Sequence, residues 1–212
     1  MLHAGNEVRF DRVPSTAEPL TLEARVASVD ANERRTIVLV RTVHRDESGS
    51  QLFTVDTTLF FPGAAPREAG SKQKKTEKKD TVRVPFGARE IHRFRVRLAD
   101  SRAYAAVSGD FNPVHISHLA ARLSGFRGAF AHGYAIKARI AHRLIHTALG
   151  GEPTRLERLA VRFRRPVYLE TETGIYLAEE RDDPAGGRRA ELYVGPGPGE
   201  SAQVSGEAHW SA

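Results

Sequence analysis

A chain of 212 residues, 40% apolar and 27% charged, is long enough for one globular domain, or two small fused ones, with a sizeable core. It contains no cysteine, which excludes disulfide frameworks, thiolate nucleophiles and cysteine-held zinc. Half of the net charge of +6 is local: residues 67–80 carry +3, and five of the six lysines fall between Lys72 and Lys79, in a polar stretch with no interleaved aromatic residue. That pattern reads as a solvated linker, so no nucleic-acid partner is expected.

The longest uncharged run around the apolar middle, Gly128 to Ile136, is nine residues. A bilayer span needs about 20, so no membrane association is expected. The opening residues carry neither a charged leader nor an apolar run, and a cytoplasmic chain is the expectation.

In chain order, Leu20, Leu22, Ala24 and Val26 alternate with Thr21, Glu23 and Arg25, the period of a half-buried strand. Thr36 to Val43 is rich in β-branched residues, and Phe53, Val55, Leu59 and Phe61 share one parity. Residues 1–61 therefore read as a β-meander without a helix. Residues 62–85 open with Pro-Gly-Ala-Ala-Pro and form the charged linker.

Residues 86–212 change grammar. Phe94, Val96 and Leu98 alternate with arginines, and a loop-rich stretch runs from Ser108 to Phe130. Ile136, Ile140 and Leu144 then recur at helical spacing, and Gly150-Gly151 stops the helix after about 16 residues. Strands follow at Leu156–Arg165, Leu169–Leu177, Arg189–Val194 and Ala202–Trp210. The two meanders echo each other, since Val8-Arg9-Phe10 matches Val161-Arg162-Phe163. Four strands with one apolar face are not stable alone, so the first meander should pair its sheet with the second.

The segment most suggestive of chemistry is Ser108-Gly109-Asp110-Phe111-Asn112-Pro113-Val114-His115, followed by Phe130-Ala131-His132-Gly133-Tyr134 at the helix start. Proline fixes its own φ and pushes Asn112 out of the α region, so the turn can set Asp110 and His115 facing each other. A carboxylate and an imidazole held together can activate a water and move its proton. Gly133 would offer an unpaired N–H at the positive end of the helix, suited to stabilising an oxyanion. Asn112 reads as a holder of the loop, Ser108 as a turn former, and His132 as a packed residue before the helix or a supporting one.

These two segments resemble the hydratase motif of the MaoC-like dehydratases, also called (R)-specific enoyl-CoA hydratases. The closing Val204-Ser205-Gly206-Glu207-Ala208 resembles that family's last strand. The resemblance covers about Arg89 to Trp210, and the first half resembles only the degenerate sheet of double hot-dog members. It implies an α+β hot-dog fold, a long helix wrapped by an antiparallel sheet, with an N-terminal half that lacks its helix. It implies Asp110 and His115 as the catalytic pair and the Gly133 amide as donor to a thioester carbonyl, with Asn112, Ser108 and His132 around the substrate. The implied reaction is reversible hydration of a trans-2-enoyl thioester to a (3R)-hydroxyacyl thioester. No cofactor is implied beyond the coenzyme A or acyl-carrier thioester itself, and the implied assembly is a homodimer or a hetero-oligomer with another hot-dog chain.

Two departures accompany the resemblance. Ser117 stands where the family often has an acid, so a helix cap there would be neutral. Met1 falls inside an early strand, so the leading elements of a first hot-dog unit are absent from this sequence, through a downstream start or natural clipping. The lost helix would leave room for a longer or bulkier acyl chain. Rival readings are a hot-dog thioesterase and a non-catalytic subunit that shares a site with a partner. No Gly-x-Ser-x-Gly elbow supports an acyl-serine hydrolase. His142 and His146 have metal-ligand spacing, but Arg143 replaces the glutamate of a zinc protease, and a solvated helix face is the better reading. No metal is expected.

Overall fold

The computed structural model describes residues 2–63, 81–184 and 186–211, so most of the charged linker lies outside the described residues. Four strands come first: β1 (Leu2–Phe10), β2 (Thr21–Asn32), β3 (Arg35–Arg45) and β4 (Gln51–Pro62). After β5 (Arg89–Arg95) come α1 (Leu98–Ser108), α2 (Pro113–Ile116), α3 (His118–Leu123) and α4 (Gly133–Ala148). The chain then runs through β6 (Leu156–Phe163), β7 (Glu172–Asp182), β8 (Arg188–Gly195) and β9 (Val204–Trp210).

All nine strands join one antiparallel sheet in the order β2-β3-β4-β1-β6-β9-β8-β7-β5. The seam is β1 against β6, centred on Glu7 opposite Ala160, with Asn6 opposite Val161 and Val8 opposite Leu159. That register is symmetric. It places Val8-Arg9-Phe10 and Val161-Arg162-Phe163 at equivalent positions about a local two-fold, and the order outward from the seam is the same on both sides. The three-residue repeat seen in the sequence thus marks two meanders joined back to back, which gives the first one the neighbour its apolar residues require.

Only one meander receives a helix. Ile136, Ile140 and Leu144 on α4 are buried in one cluster with Val161, Ile175, Leu177, Leu192, Val194 and Trp210. Each such aliphatic side chain contributes about 1.5–3 kcal/mol when removed from water. Gly150 and Gly151 both adopt left-handed φ, and the Gly151 N–H reaches back to the Ile145 carbonyl at 2.9 Å, which ends α4. Among the described residues, no helix precedes α1 and none is long and apolar enough to cross a membrane.

The structure departs from the sequence expectation before the Ser108–His115 loop. The strand near Phe94 ends at Arg95, and Leu98 opens a helix rather than continuing the alternation. Helix α1 is built on alanines and serine, with only Ser101 and Ala105 buried, so it has helix propensity but little apolar periodicity. Two short helices also lie inside the stretch read as loop. The expected strand from Leu169 starts at Glu172 instead, because Glu170 takes a positive φ of 61° in the preceding turn. At the described end of the expected linker, Val82 and Val84 pack with Tyr176 and Ala202, and the Val84 N–H donates to the Glu200 carbonyl at 2.9 Å.

Candidate active site

The loop between α1 and α2 is held by its own short side chains. Gly109 closes α1 in the left-handed region at φ 74°, which an L side chain rarely adopts. The Asp110 N–H then donates to the Ser108 hydroxyl at 3.2 Å, and the Asn112 N–H donates to Asp110 Oδ1 at 3.2 Å. Asn112 caps α2, its Oδ1 accepting from the Val114 N–H at 3.4 Å, with Pro113 in the first helical position. Ser117 caps α3 in turn by accepting from the Ala120 N–H at 3.3 Å, a neutral cap.

This loop brings Asp110 and His115 together. Donor atoms of Asp110, His115 and His132 all lie within 4.8 Å of one another. The His115 Nδ1–H donates to the Phe130 carbonyl at 2.9 Å, which leaves Nε2 as the ring's free nitrogen. Burial pulls the His115 pKa below the ordinary histidine value, against the opposing pull of that hydrogen bond and of Asp110. At neutral pH the imidazole is therefore uncharged and able to accept a proton.

His132 plays another part. It is 2% exposed, its ring centroid is 4.2 Å from that of His115, and its Nε2–H donates to the Asp110 backbone carbonyl at 3.0 Å. Its Nδ1 lies 3.3 Å from the Ser101 hydroxyl, which donates to the His115 carbonyl at 2.8 Å. The Asp110 carbonyl thus holds Nε2, the Ser101 hydroxyl stands beside Nδ1, and the side chain ties α1 to the Ser108–His115 loop. The Asp110–His115–His132 cluster is the only group of three potential metal ligands among the described residues. His142 and His146 meet edge to face with ring centroids 4.5 Å apart, each on the exposed side of α4.

Gly133 is the first residue of α4, so its N–H has no acceptor within the helix. A Cβ there would stand 2.9 Å from the Phe163 ring, so glycine is needed for that ring to close over the helix start. Asp110, Asn112, His115 and Gly133 share a cavity of about 230 Å³ whose apolar walls include Phe126, Phe130, Ile136 and Phe163. A second cavity, of about 440 Å³, lies against Ser108, His132 and Tyr134 and shares Asp110 and Gly133 with the first. His3 lines both. Sequence reasoning passed over His3, because it reaches the site only through the β1–β6 pairing and carries no local motif. Phe163 was recoverable, since it ends the repeated Val-Arg-Phe triplet.

A family model described as the MaoC-like domain matches residues 68–190. The 3-hydroxyacyl-thioester dehydratase X of Mycobacterium tuberculosis is 31% identical over 159 residues, which is 73% of this chain and 52% of that protein. A MaoC-like dehydratase structure from Phytophthora capsici superposes with a TM-score of 0.76 at 19% identity, covering 99% of this chain and 71% of that one. The full-length peroxisomal multifunctional enzyme type 2 of Drosophila melanogaster superposes at 0.75 with 19% identity, over 100% of this chain and 37% of that one. The chain belongs to the MaoC-like dehydratase family, and its architecture is the hot-dog fold. It spans about half the length of the mycobacterial relative.

Proposed function

We propose that the protein catalyses reversible hydration of a trans-2-enoyl thioester to a (3R)-hydroxyacyl thioester. The observation that carries this reading is the placement of Asp110 and His115 on one cavity wall with the first amide of α4. The thioester oxygen accepts from the Gly133 N–H, which draws electron density from C3 and stabilises the enolate that develops. Asp110 orients a water against C3. As the C3–O bond forms, His115 Nε2 takes the water proton, and the pair returns a proton to C2, so the product gains one water in all. His132 and Asn112 hold Asp110 and the loop, and Ser108 fixes the turn.

The thiol carrier is coenzyme A or an acyl-carrier protein. The protein acts as a homodimer or beside another hot-dog chain, and a cytoplasmic setting suits a chain without cysteine. On the helix side of the sheet, β2 presents an exposed apolar row of Leu22, Val26 and Val29, and the space beside it accommodates a long or bulky acyl chain.

Incubation with crotonyl-CoA tests the reaction. Loss of enone absorbance without release of free thiol is expected. Release of thiol would make the protein a thioesterase, and no change in either would leave an acyl-thioester-binding role. Strict preference for four-carbon over long-chain substrates would remove the assignment of the open face.

A further inference from the structure

Lys137 is the one lysine outside the charged linker, and it is buried on α4, four residues after Gly133, with 9% of its surface exposed. Its ammonium hydrogen-bonds to Asn6 Oδ1 on β1. Asn6 Nδ2 donates to the Thr57 hydroxyl on β4 at 3.0 Å and to the Tyr134 hydroxyl on α4 at 2.9 Å. Those two hydroxyls are themselves 2.8 Å apart. Asn6, Thr57 and Tyr134, from three elements, thus close a ring across the junction of the first meander with the helix, and Lys137 is tied to that ring through Asn6. The Tyr134 ring meets His3 edge-on at 5.2 Å between centroids, and His3 stands in the wall of both cavities with Asp110.

The chemistry of the ring sets its orientation. An ammonium only donates, so it holds the Asn6 carbonyl oxygen towards α4 and aims the Asn6 amide protons at Thr57 and Tyr134. A methionine would fill the same space without burying a charge. The carboxylate that acts on Lys137 electrostatically is Glu7, and its oxygens are bound by Arg158 at 2.8 Å and by Arg9 at 2.6 Å. Thr57 and Tyr134, from the other two elements of the ring, bring hydroxyls. Burial accordingly draws the Lys137 pKa down to about 8. Such a charge is expensive to keep, and what it secures is the position of Asn6.

We propose that Lys137 is a positioning residue for the hydration reaction: by fixing the Asn6 amide it seats Tyr134 and, through Tyr134, His3, so that the first meander builds one wall of the active site. The inference rests on the function proposed above.

The test is a double-mutant cycle on enoyl-CoA hydration with Lys137→Met, His3→Ala and the pair together. Lys137→Met is expected to lower kcat/KM about tenfold or more, mostly through KM, with partial rescue in Lys137→Arg. The double variant should lose no more than the worse single, because both act on one wall. Additive losses, or a Lys137→Met variant with unchanged KM, would overturn the proposal. Tyr134→Phe breaks the ring without touching the buried charge, and it should raise KM in the same direction if Lys137→Met fails to fold. Wild-type protein that hydrates nothing sinks the proposed function, whereas active wild type beside an unaffected variant sinks only the role of Lys137.

Discussion

Two rows of the sheet occupy equivalent places on either side of the seam, and their fates differ. In the first half the row runs Leu22, His44, Phe53, Phe10; in the second it runs Ile175, Val194, Val204, Phe163. Leu22 is 56% exposed and Ile175 is 0% exposed. Strand order and register match, and only the second row has α4 lying across it. Hydrogen-bonded pairing therefore builds the sheet in both halves, while burial depends on a second layer that one half lacks. The Ser108–His115 loop sits beside the covered half, where His115 is buried. The uncovered half touches the site at the seam, through Leu2 and His3.

The largest effect should come from the covered half. Asp110→Asn and His115→Ala are each expected to lower kcat by about a hundredfold to ten-thousandfold, the usual contribution of a positioned acid–base group. Stopped or steady-state hydration of crotonyl-CoA measures it, and a loss under threefold in either variant would remove that residue from the pair. The acid limb of the wild-type profile should lie below 6.5, because burial lowers the His115 pKa and the base form persists to lower pH.

Stability should divide the same way. Ile175→Ala is expected to destabilise the protein by about 2–5 kcal/mol, as for a large-to-small change in a packed core. Denaturant unfolding reads this directly. A cost under about 1 kcal/mol would mean that α4 does not seal the second meander.

The seam offers a pH-dependent measure. Lys137 has a folded pKa of about 8 against an ordinary 10.5, so between these values the unfolded chain binds more protons than the native one. Stability contributed through this group therefore rises as pH increases from 8 towards 10.5, by on the order of 3 kcal/mol at most. Lys137→Met should abolish that rise. Parallel pH–stability curves for the variant and the wild type would show that the ammonium is solvated in the native state.

Much of this was legible before any coordinates. The long helix announced itself through Ile136, Ile140 and Leu144, and the strands through alternation, because both signals are local. The turn at Asn112-Pro113 and the approach of Asp110 to His115 follow from short-range chemistry too. Helix α1 was missed because alanine and serine leave no apolar stripe to detect. His3, Lys137 and Asn6 were missed for a different reason: their meaning arises only when β1 and β6 pair across more than 150 residues of sequence. The alternation in Leu20–Val26 told which residues share a face, but it carried no information about whether anything covers that face.

The smallest effect is expected on the exposed face of β2. Leu22, Val26 and Val29 are more than half exposed on β2, which lies at the edge of the sheet. An apolar side chain already in water has little transfer energy left to lose, so Leu22→Ser should change stability by no more than about 0.5 kcal/mol. The polar variant should also be less prone to association, since a long uncovered edge with an apolar face invites pairing with other chains. A measured loss near the 2–5 kcal/mol of a buried site would mean that Leu22 is covered in solution. The difference between the two halves would then lie in who supplies the second layer, not in whether one exists.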